Sequence, residues 1–457
     1  MTEQFKEQGG AATMDPSALT RWMTSRFVSR LVRPGALERA RAAEETARLA
    51  AGKPHVVEYF HQVEDGYSHL SSQVLERLQE RYDVQLVCHL VAGPQGKNSA
   101  EPELLLRLSR YDSQQIAQHY DLQFPEGDKT PPTELIADAK QILAAQDNAN
   151  FIARCAEVGA ALWSTDTATM TQLAEAWGTA DDKATRALVE TGSARQAELK
   201  HYSGGMFYYA GEWYWGIDRL YHLEQRLSAL GVDRQPQQPM IAPRPDTVSG
   251  PLQDNGSLTL EVFPSLRSPY TAISFDRAVK LARDTGVKLV VKPVLPMVMR
   301  GVPATREKGQ YIFSDTAREA RAAGVPFGKF YDPIGNPARR GYSLYPWACE
   351  QGKGNELLSA FLSCAFAEGV NLNREKGLRR AVEKAGLDWS EARGHLGSTE
   401  WKSQLEDNRL AMYDAGLWGV PSFRLMDREG REVLALWGQD RLWLIAQKIQ
   451  QLLALNN

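Results

Sequence analysis

Apolar and polar positions follow the same order of patterns twice along this chain. Dense apolar runs at Val84–Val91 and Val287–Val294 are rich in β-branched residues, which predicts strands covered on both faces. Before each run, apolar residues recur at helical spacing: Leu70, Val74 and Leu78 in the first half, and Phe275, Ala278, Val279 and Ala282 in the second. A further strand-like run precedes each helix. Each half is therefore predicted to contain a strand, a helix and a second strand.

The two halves also match in sequence. Glu58–Ser68 corresponds to Glu261–Thr271, and near the ends Trp215–Leu220 corresponds to Trp437–Leu442, each introducing a terminal helix. Long helical stretches separate the matching segments in both halves. The predicted fold class is α/β, with two tandem copies. Each copy is a βαβ unit joined to a ββα unit around a helical insertion.

Composition shifts predict four segments. Residues 1–54 form a helical extension, residues 55–228 the first copy, residues 229–256 a linker and residues 257–457 the second copy. The linker is assigned because Gln235–Pro245 is polar and rich in proline, which favours a semi-extended chain.

Charge and apolar run length restrict the class of protein. The 457 residues carry a formal net charge of -3, which gives no electrostatic reason to expect nucleic acid as a partner. No apolar run approaches the roughly 20 residues that cross a bilayer. Arginines interrupt the apolar segment Trp22–Arg33, which predicts a short amphipathic helix on the body of the protein; a role at a membrane surface stays open.

The cysteines give no sign of a redox or metal site. The four are Cys88, Cys155, Cys349 and Cys364, and no two have the Cys-x-x-Cys spacing. No other group of residues has metal-ligand spacing, so no metal is predicted. Such sparse cysteine usage is typical of a reducing compartment, and we expect a cytoplasmic protein.

Three features of the second copy suggest chemistry. Ser268 lies between a strand and a helix, where unpaired N–H groups favour an anion such as a thiolate; its alternative role is a simple N-cap. Pro421 begins a strand, either as an edge residue or as a cis-proline beside an extended ligand. Gln439 and Asp440 lie at another helix start, where Asp440 either caps the helix or binds a ligand ammonium group.

The second copy resembles the 2-hydroxychromene-2-carboxylate isomerase family, the sister of the kappa-class glutathione transferases and of the disulfide oxidoreductase DsbA. Five segments spread over about residues 257–455 carry the resemblance: Phe263–Ser274, Lys308–Tyr311, Gly324–Phe327, Gly419–Phe423 and Trp437–Leu442. The resemblance implies two thioredoxin-like domains of the DsbA and kappa type, each with a helical insertion.

The resemblance also implies a glutathione site in the second copy. Ser268 would face the glutathione sulfur, and Pro421 would be cis, with the Val420 backbone pairing to the cysteinyl part. Gln439 and Asp440 would hold the γ-glutamyl end. Thr271 stands where DsbA has its second cysteine, which excludes dithiol–disulfide exchange by this loop.

The first copy departs from this pattern. Asp65 and Gly66 occupy the positions of Ser268 and Pro269, and Gly205 replaces Pro421. A carboxylate at the first of these positions would repel a thiolate. We interpret the first copy as catalytically degenerate, with a different ligand site around Asp65 as the alternative.

These expectations lead to one leading function and one alternative. The leading hypothesis is a glutathione-dependent isomerase or transferase that acts on a conjugated or aromatic small molecule, with glutathione as cofactor. The alternative is a non-catalytic protein that binds a thiol compound, a peptide or a protein. The sequence does not identify the substrate, and a homodimeric state stays open.

Overall fold

The computed structural model describes residues 15–302 and 304–455, which form two compact units. The N-terminal unit is Glu38–Pro245, and the C-terminal unit consists of the described residues on either side of it. Helix α1 (Ala18–Val32) therefore belongs to the C-terminal unit although it precedes the N-terminal unit in sequence.

The N-terminal unit has a four-stranded sheet with strand order β2-β1-β3-β4. β1 pairs in parallel with β2 and antiparallel with β3, and β3 pairs antiparallel with β4. The elements in chain order are α2 (Ala36–Ala50), β1 (Val56–His61), α3 (Gly66–Ser72), α4 (Leu75–Arg81), β2 (Gln85–Leu90), α5 (Pro102–Ala117), α6 (Thr133–Ala144), α7 (Asn148–Trp163), α8 (Thr167–Trp177), α9 (Asp182–Glu198), β3 (Met206–Tyr209), β4 (Glu212–Trp215) and α10 (Gly216–Ala229).

The C-terminal unit repeats this sheet with the order β6-β5-β7-β8 and the same strand directions. After α1, its elements are β5 (Thr259–Phe263), α11 (Pro269–Thr285), β6 (Lys288–Val291), α12 (Arg306–Ala322), α13 (Asn336–Glu350), α14 (Gly354–Phe366), α15 (Glu375–Lys384), α16 (Trp389–His395), α17 (Trp401–Asp414), β7 (Ser422–Met426), β8 (Glu432–Trp437) and α18 (Leu442–Leu455). The predicted order of strands, helical insertion and final helix is present in each unit.

Equivalent hydrogen bonds extend the repeat to single atoms. The Tyr67 hydroxyl donates to Asp112 Oδ2 over 2.9 Å, and the Tyr270 hydroxyl donates to Asp315 Oδ2 over 2.8 Å. Each bond joins the helix after the first strand to the helix after the second strand. The two tyrosines are 203 positions apart in the chain, and so are the two aspartates. The two units therefore share one internal scaffold and not only one strand order.

The predicted burial of the second strand in each copy is wrong. β2 and β6 lie at sheet edges and are only partly buried, whereas the first strands β1 and β5 are central and buried along most of their length. An edge strand has a neighbour on one side only, so a run of β-branched residues does not by itself indicate a covered strand.

The unit boundaries divide two of the predicted segments. Of the predicted extension 1–54, residues 1–14 lie outside the described residues, α1 belongs to the C-terminal unit and most of α2 to the N-terminal unit. The proline-rich part of the predicted linker is fixed to the N-terminal unit, because Glu224 accepts the backbone N–H groups of Ile241 and Ala242 over 2.7 and 3.0 Å. The remaining linker residues, from Asp246, belong to the C-terminal unit.

Two helical glycines of the C-terminal unit differ in how much space surrounds them. A Cβ added at Gly377 in α15 would lie 2.1 Å from the backbone oxygen of Asn371, while a Cβ at Gly309 in α12 meets nothing within 4 Å. We expect Gly377→Ala to lower the free energy of unfolding by about 1–3 kcal/mol through steric strain. Gly309→Ala should raise it by up to about 1 kcal/mol, because alanine is the better helix former. Urea unfolding of both variants measures this, and equal effects would contradict the packing described.

Candidate functional site

The candidate site begins in the loop between β5 and α11. This loop is fixed by Tyr342 of α13, whose hydroxyl accepts from the Leu266 backbone N–H over 3.0 Å and donates to the Val294 carbonyl over 2.9 Å. Arg267 is held by Asp332 through two hydrogen bonds of 3.0 and 3.2 Å. The residues immediately before Ser268 are therefore rigidly positioned.

Ser268 caps the 17-residue helix α11. Its Oγ accepts from the Thr271 backbone N–H over 3.1 Å, as the N-cap reading predicts. The same hydroxyl donates to the Val420 carbonyl over 3.2 Å, which brings together two of the predicted site residues from opposite ends of the domain. Ser268 is thus both a helix cap and a direct neighbour of the loop before β7.

The Val420–Pro421 peptide bond is cis, the geometry predicted for it. The Pro421 carbonyl accepts from the Gly438 N–H over 3.0 Å, which continues the β7–β8 pairing at the end opposite to the turn that joins the two strands. Within the described chain, the Val420 N–H makes no hydrogen bond, and Val420 is only partly buried. The backbone before the proline can therefore pair with an extended ligand.

Gln439 and Asp440 lie on a 3₁₀ turn, Gln439–Arg441, that leads into α18. Gln439 is 2% exposed; its Nε2 donates to Glu319 over 2.8 Å and its Oε1 accepts from Arg277 over 3.3 Å. This amide is engaged inside the unit, so its ligand contact stays a prediction. The Asp440 carboxylate is partly exposed and lies 3.7 Å from the Arg441 guanidinium.

Lys308 of α12 adds a cation near the cis-proline loop. Its Nζ lies 5.4 Å from the ring centre of Trp418, three residues before Pro421. Partial burial lowers the pKa of Lys308 from its ordinary value. Nothing in the sequence around Lys308 indicates this position, because no local pattern shows that α12 and the Trp418 segment meet.

In the N-terminal unit, Asp65 occupies the position equivalent to Ser268. Asp65 caps α3, and its Oδ2 accepts from both the N–H and the hydroxyl of Ser68 over 2.8 Å. Strand register aligns Gly205 with Pro421, and a Cβ at Gly205 would lie 2.8 Å from Asp65 Oδ2. The Asp65 carboxylate therefore occupies space that a side chain at position 205 would need, and glycine leaves that space free. A carboxylate fills the space beside the strand in this unit.

Residues 259–450 match the family model of the DSBA-like thioredoxin domain. The C-terminal unit contains a DSBA-like thioredoxin domain. The resemblance expected from sequence is thereby confirmed for this unit, and the thioredoxin-like fold with it. The tandem repeat is supported in part, since the family match covers one unit while the other shares its strand order and equivalent hydrogen bonds.

Solved structures similar to the chain include three of this fold. A 2-hydroxychromene-2-carboxylate isomerase is 20% identical and covers 43% of this chain and 97% of its own, with a TM-score of 0.37. A probable DsbA oxidoreductase from Streptomyces coelicolor is 19% identical, with coverage of 42% and 90% and a TM-score of 0.33. The cytosolic disulfide reductase DsbM from Pseudomonas aeruginosa with GSH is 16% identical, with coverage of 43% and 98% and a TM-score of 0.33. No curated protein matches the chain.

Residues 15–302 and 304–455 contain neither a metal-binding cluster nor a membrane-spanning helix. No group of three or more His, Cys, Asp or Glu in these ranges is arranged to hold a metal ion. None of the helices there is both long enough and apolar enough to cross a membrane.

Asp65 should make stability depend on pH. Burial raises its pKa from 3.8 to about 6, so the folded state binds an extra proton between about pH 4 and 6 and loses stability as the pH rises through that window. We expect Asp65→Asn, which keeps an oxygen acceptor, to weaken this loss and to stabilise the protein at pH 7.5 by about 1–2 kcal/mol. Urea unfolding between pH 4.5 and 7.5 measures the effect.

Asp181→Asn is the matched control, because Asp181 caps α9 with the same kind of hydrogen bond in an exposed position. An unchanged pH dependence in Asp65→Asn would contradict the raised pKa.

Proposed function

We propose that this protein is a glutathione-dependent isomerase or transferase that acts on a conjugated or aromatic small molecule through its DSBA-like domain. The observation that carries the proposal is the contact between Ser268, at the start of a long helix, and the carbonyl before the cis peptide bond at Pro421. A hydroxyl and a helix N-terminus, which both suit the glutathione sulfur, meet there with a strand-like backbone that suits the cysteinyl main chain.

Bound glutathione supplies a thiolate that can add reversibly to a conjugated system. The chain's own contribution is to hold that sulfur in its charged form. The α11 N-terminus carries partial positive charge, and the Ser268 hydroxyl can turn from its 3.2 Å bond with Val420 to donate to a sulfur. Both effects stabilise a thiolate over a thiol.

The remaining contacts would orient the tripeptide. The Val420 N–H is available to the cysteinyl backbone, and the Asp440 carboxylate can pair with the γ-glutamyl ammonium group. Gln439 is a positioning residue in this proposal, because its bonds to Glu319 and Arg277 hold the turn that presents Asp440. Lys308 adds positive charge near the same loop, which favours an anionic ligand.

One observation supports the alternative, a non-catalytic binding protein. Ser268 already accepts one hydrogen bond and donates another, so its hydroxyl is satisfied as a purely structural cap. In that case the backbone beside Pro421 would bind an extended peptide or thiol compound without activating it. The two hypotheses differ in whether Ser268 affects the ionisation of a bound thiol.

Titration calorimetry of glutathione into the full chain is the direct test. We expect binding that Asp440→Ala weakens roughly tenfold, the effect of removing a charge-assisted contact. Asp427→Ala is the control, because the Asp427 carboxylate is partly exposed to the same extent as that of Asp440 and lies outside the site. Absence of binding at millimolar glutathione would overturn the proposal.

The ionisation of the bound thiol separates the enzyme from the binding protein. Removing the hydroxyl donor in Ser268→Ala should raise the pKa of bound glutathione by roughly one unit, because a hydrogen bond to a charged group is lost. Thiolate absorbance in the ultraviolet, followed against pH at saturating glutathione, measures this.

Ser17→Ala is the matched control, since Ser17 caps α1 in the same way and lies outside the site. Both variants should lose about 1 kcal/mol of stability through the missing cap. If the thiol pKa stays the same in Ser268→Ala, the binding-protein alternative is favoured.

A further inference from the structure

Helix α1 exposes an unusual set of apolar side chains. Of the nine large apolar residues that are exposed in the described chain, five lie on this one helix: Leu19, Trp22, Met23, Phe27 and Leu31. The other four are scattered singly over the described residues. The cluster of exposed apolar side chains on α1 therefore indicates an interaction surface, whereas isolated exposed apolar residues do not.

The exposed side chains form two adjacent rows along the helix. Leu19, Met23, Phe27 and Leu31 follow each other at four-residue spacing and make an apolar row. One position earlier on each turn, Trp22, Arg26 and Arg30 make a second row, and Arg33 continues it at the helix end. The Arg26 guanidinium lies 5.3 Å from the Trp22 ring centre. An apolar row thus lies beside a cationic row on one outward face.

The opposite face fixes the helix in this orientation. Arg21 is 2% exposed, and its Nη1 donates to the carbonyls of Asp332 and Ile334 over 2.7 and 2.6 Å. Ser25 Oγ accepts from the Asp332 N–H over 3.0 Å. Rotating the helix to bury the apolar row would break these buried bonds and leave the Arg21 guanidinium without its carbonyl partners, which is strongly unfavourable. The outward face is therefore a permanent feature of the unit.

The charge on this face has a single sign. Residues 16–37 contain four arginines and no acidic residue, and of these only Arg21 points inwards. Arg306 of α12 adds a further cation 6.0 Å from the Phe27 ring centre. A second copy of α1 would bring arginines against arginines with no carboxylate from either helix, which disfavours self-association through this face. An anionic surface satisfies both rows at once.

We propose that α1 binds the surface of membranes that contain anionic phospholipids, lying parallel to the bilayer. The apolar row would enter the boundary between headgroups and acyl chains, while Arg26, Arg30 and Arg33 contact lipid phosphates. The net charge of -3 for the whole chain does not oppose this, because charges further than about 10 Å away are screened at ordinary ionic strength. This inference is independent of the proposed glutathione site.

Flotation of the full chain with vesicles tests the proposal. We compare phosphatidylcholine vesicles with vesicles that contain about one third phosphatidylglycerol, a content high enough to give a negative surface potential. Binding should occur to the anionic vesicles, be much weaker to the neutral ones and fall as salt is raised. The double variant Arg26→Gln/Arg30→Gln should reduce the partition coefficient more than tenfold, since each arginine contributes about fivefold.

The apolar row is tested separately. Met23→Gln/Phe27→Gln should also abolish most of the binding, because both side chains are about half exposed and would enter the lipid. The matched control is Arg186→Gln/Leu188→Gln on α9, which removes one exposed arginine and one exposed leucine elsewhere. None of the substituted side chains is buried, so we expect all variants to fold. Circular dichroism checks this.

Three results would overturn the proposal. One is the absence of binding to anionic vesicles at low salt, and another is equal binding by the α1 variants and the control. The third comes from sedimentation velocity: a dimer that Met23→Gln/Phe27→Gln dissociates would assign the face to a second copy instead.

Discussion

The antiparallel pairing of β5 with β7 determines where the candidate site can form. In this register Phe263 pairs with Ser422, so β5 ends at the same end of the sheet at which β7 begins. The N-terminus of α11 follows the end of β5, and the cis peptide bond at Pro421 precedes the start of β7. Two segments about 150 positions apart are thereby brought within one hydrogen bond. Any member of this architecture has a helix N-terminus next to a strand start, whatever residues occupy them.

The N-terminal unit has the same constraint and a different outcome. Its β1–β3 register brings Gly205 beside the cap of α3, where the C-terminal unit has Pro421 beside Ser268. Asp65 accepts the helix N–H through its own carboxylate, and only a residue without a Cβ leaves room for it. The two substitutions are therefore one structural change. They convert a position suited to an external anion into one that carries an internal anion.

Local signals predicted the parts of the site that depend on local geometry. A serine before proline indicated the α11 cap, because this signal lies within a few residues of its consequence. The strand-opening Pro421 left an edge residue and a cis bond both open, and the family resemblance implied the cis bond that the structure has. The pairing of Gln439 with Glu319 and the approach of Lys308 to Trp418 depend on how α12 packs, about 120 positions away, so they left no local pattern. The partial burial of β2 and β6 was missed for the same reason, because the position of a strand in its sheet is set by distant pairing partners.

Helix α1 changes how the chain order should be understood. A buried arginine is costly unless it is paired, and the two terminal nitrogens of Arg21 find partners in Asp15 and in the carbonyls of Asp332 and Ile334. The carboxylate of Asp332 in turn holds Arg267 beside Ser268. The C-terminal unit therefore includes a helix that precedes the whole N-terminal unit, which makes Glu38–Pro245 an insertion in covalent terms. The N-terminal copy therefore lies, in chain order, between two parts of the unit that contains the candidate site.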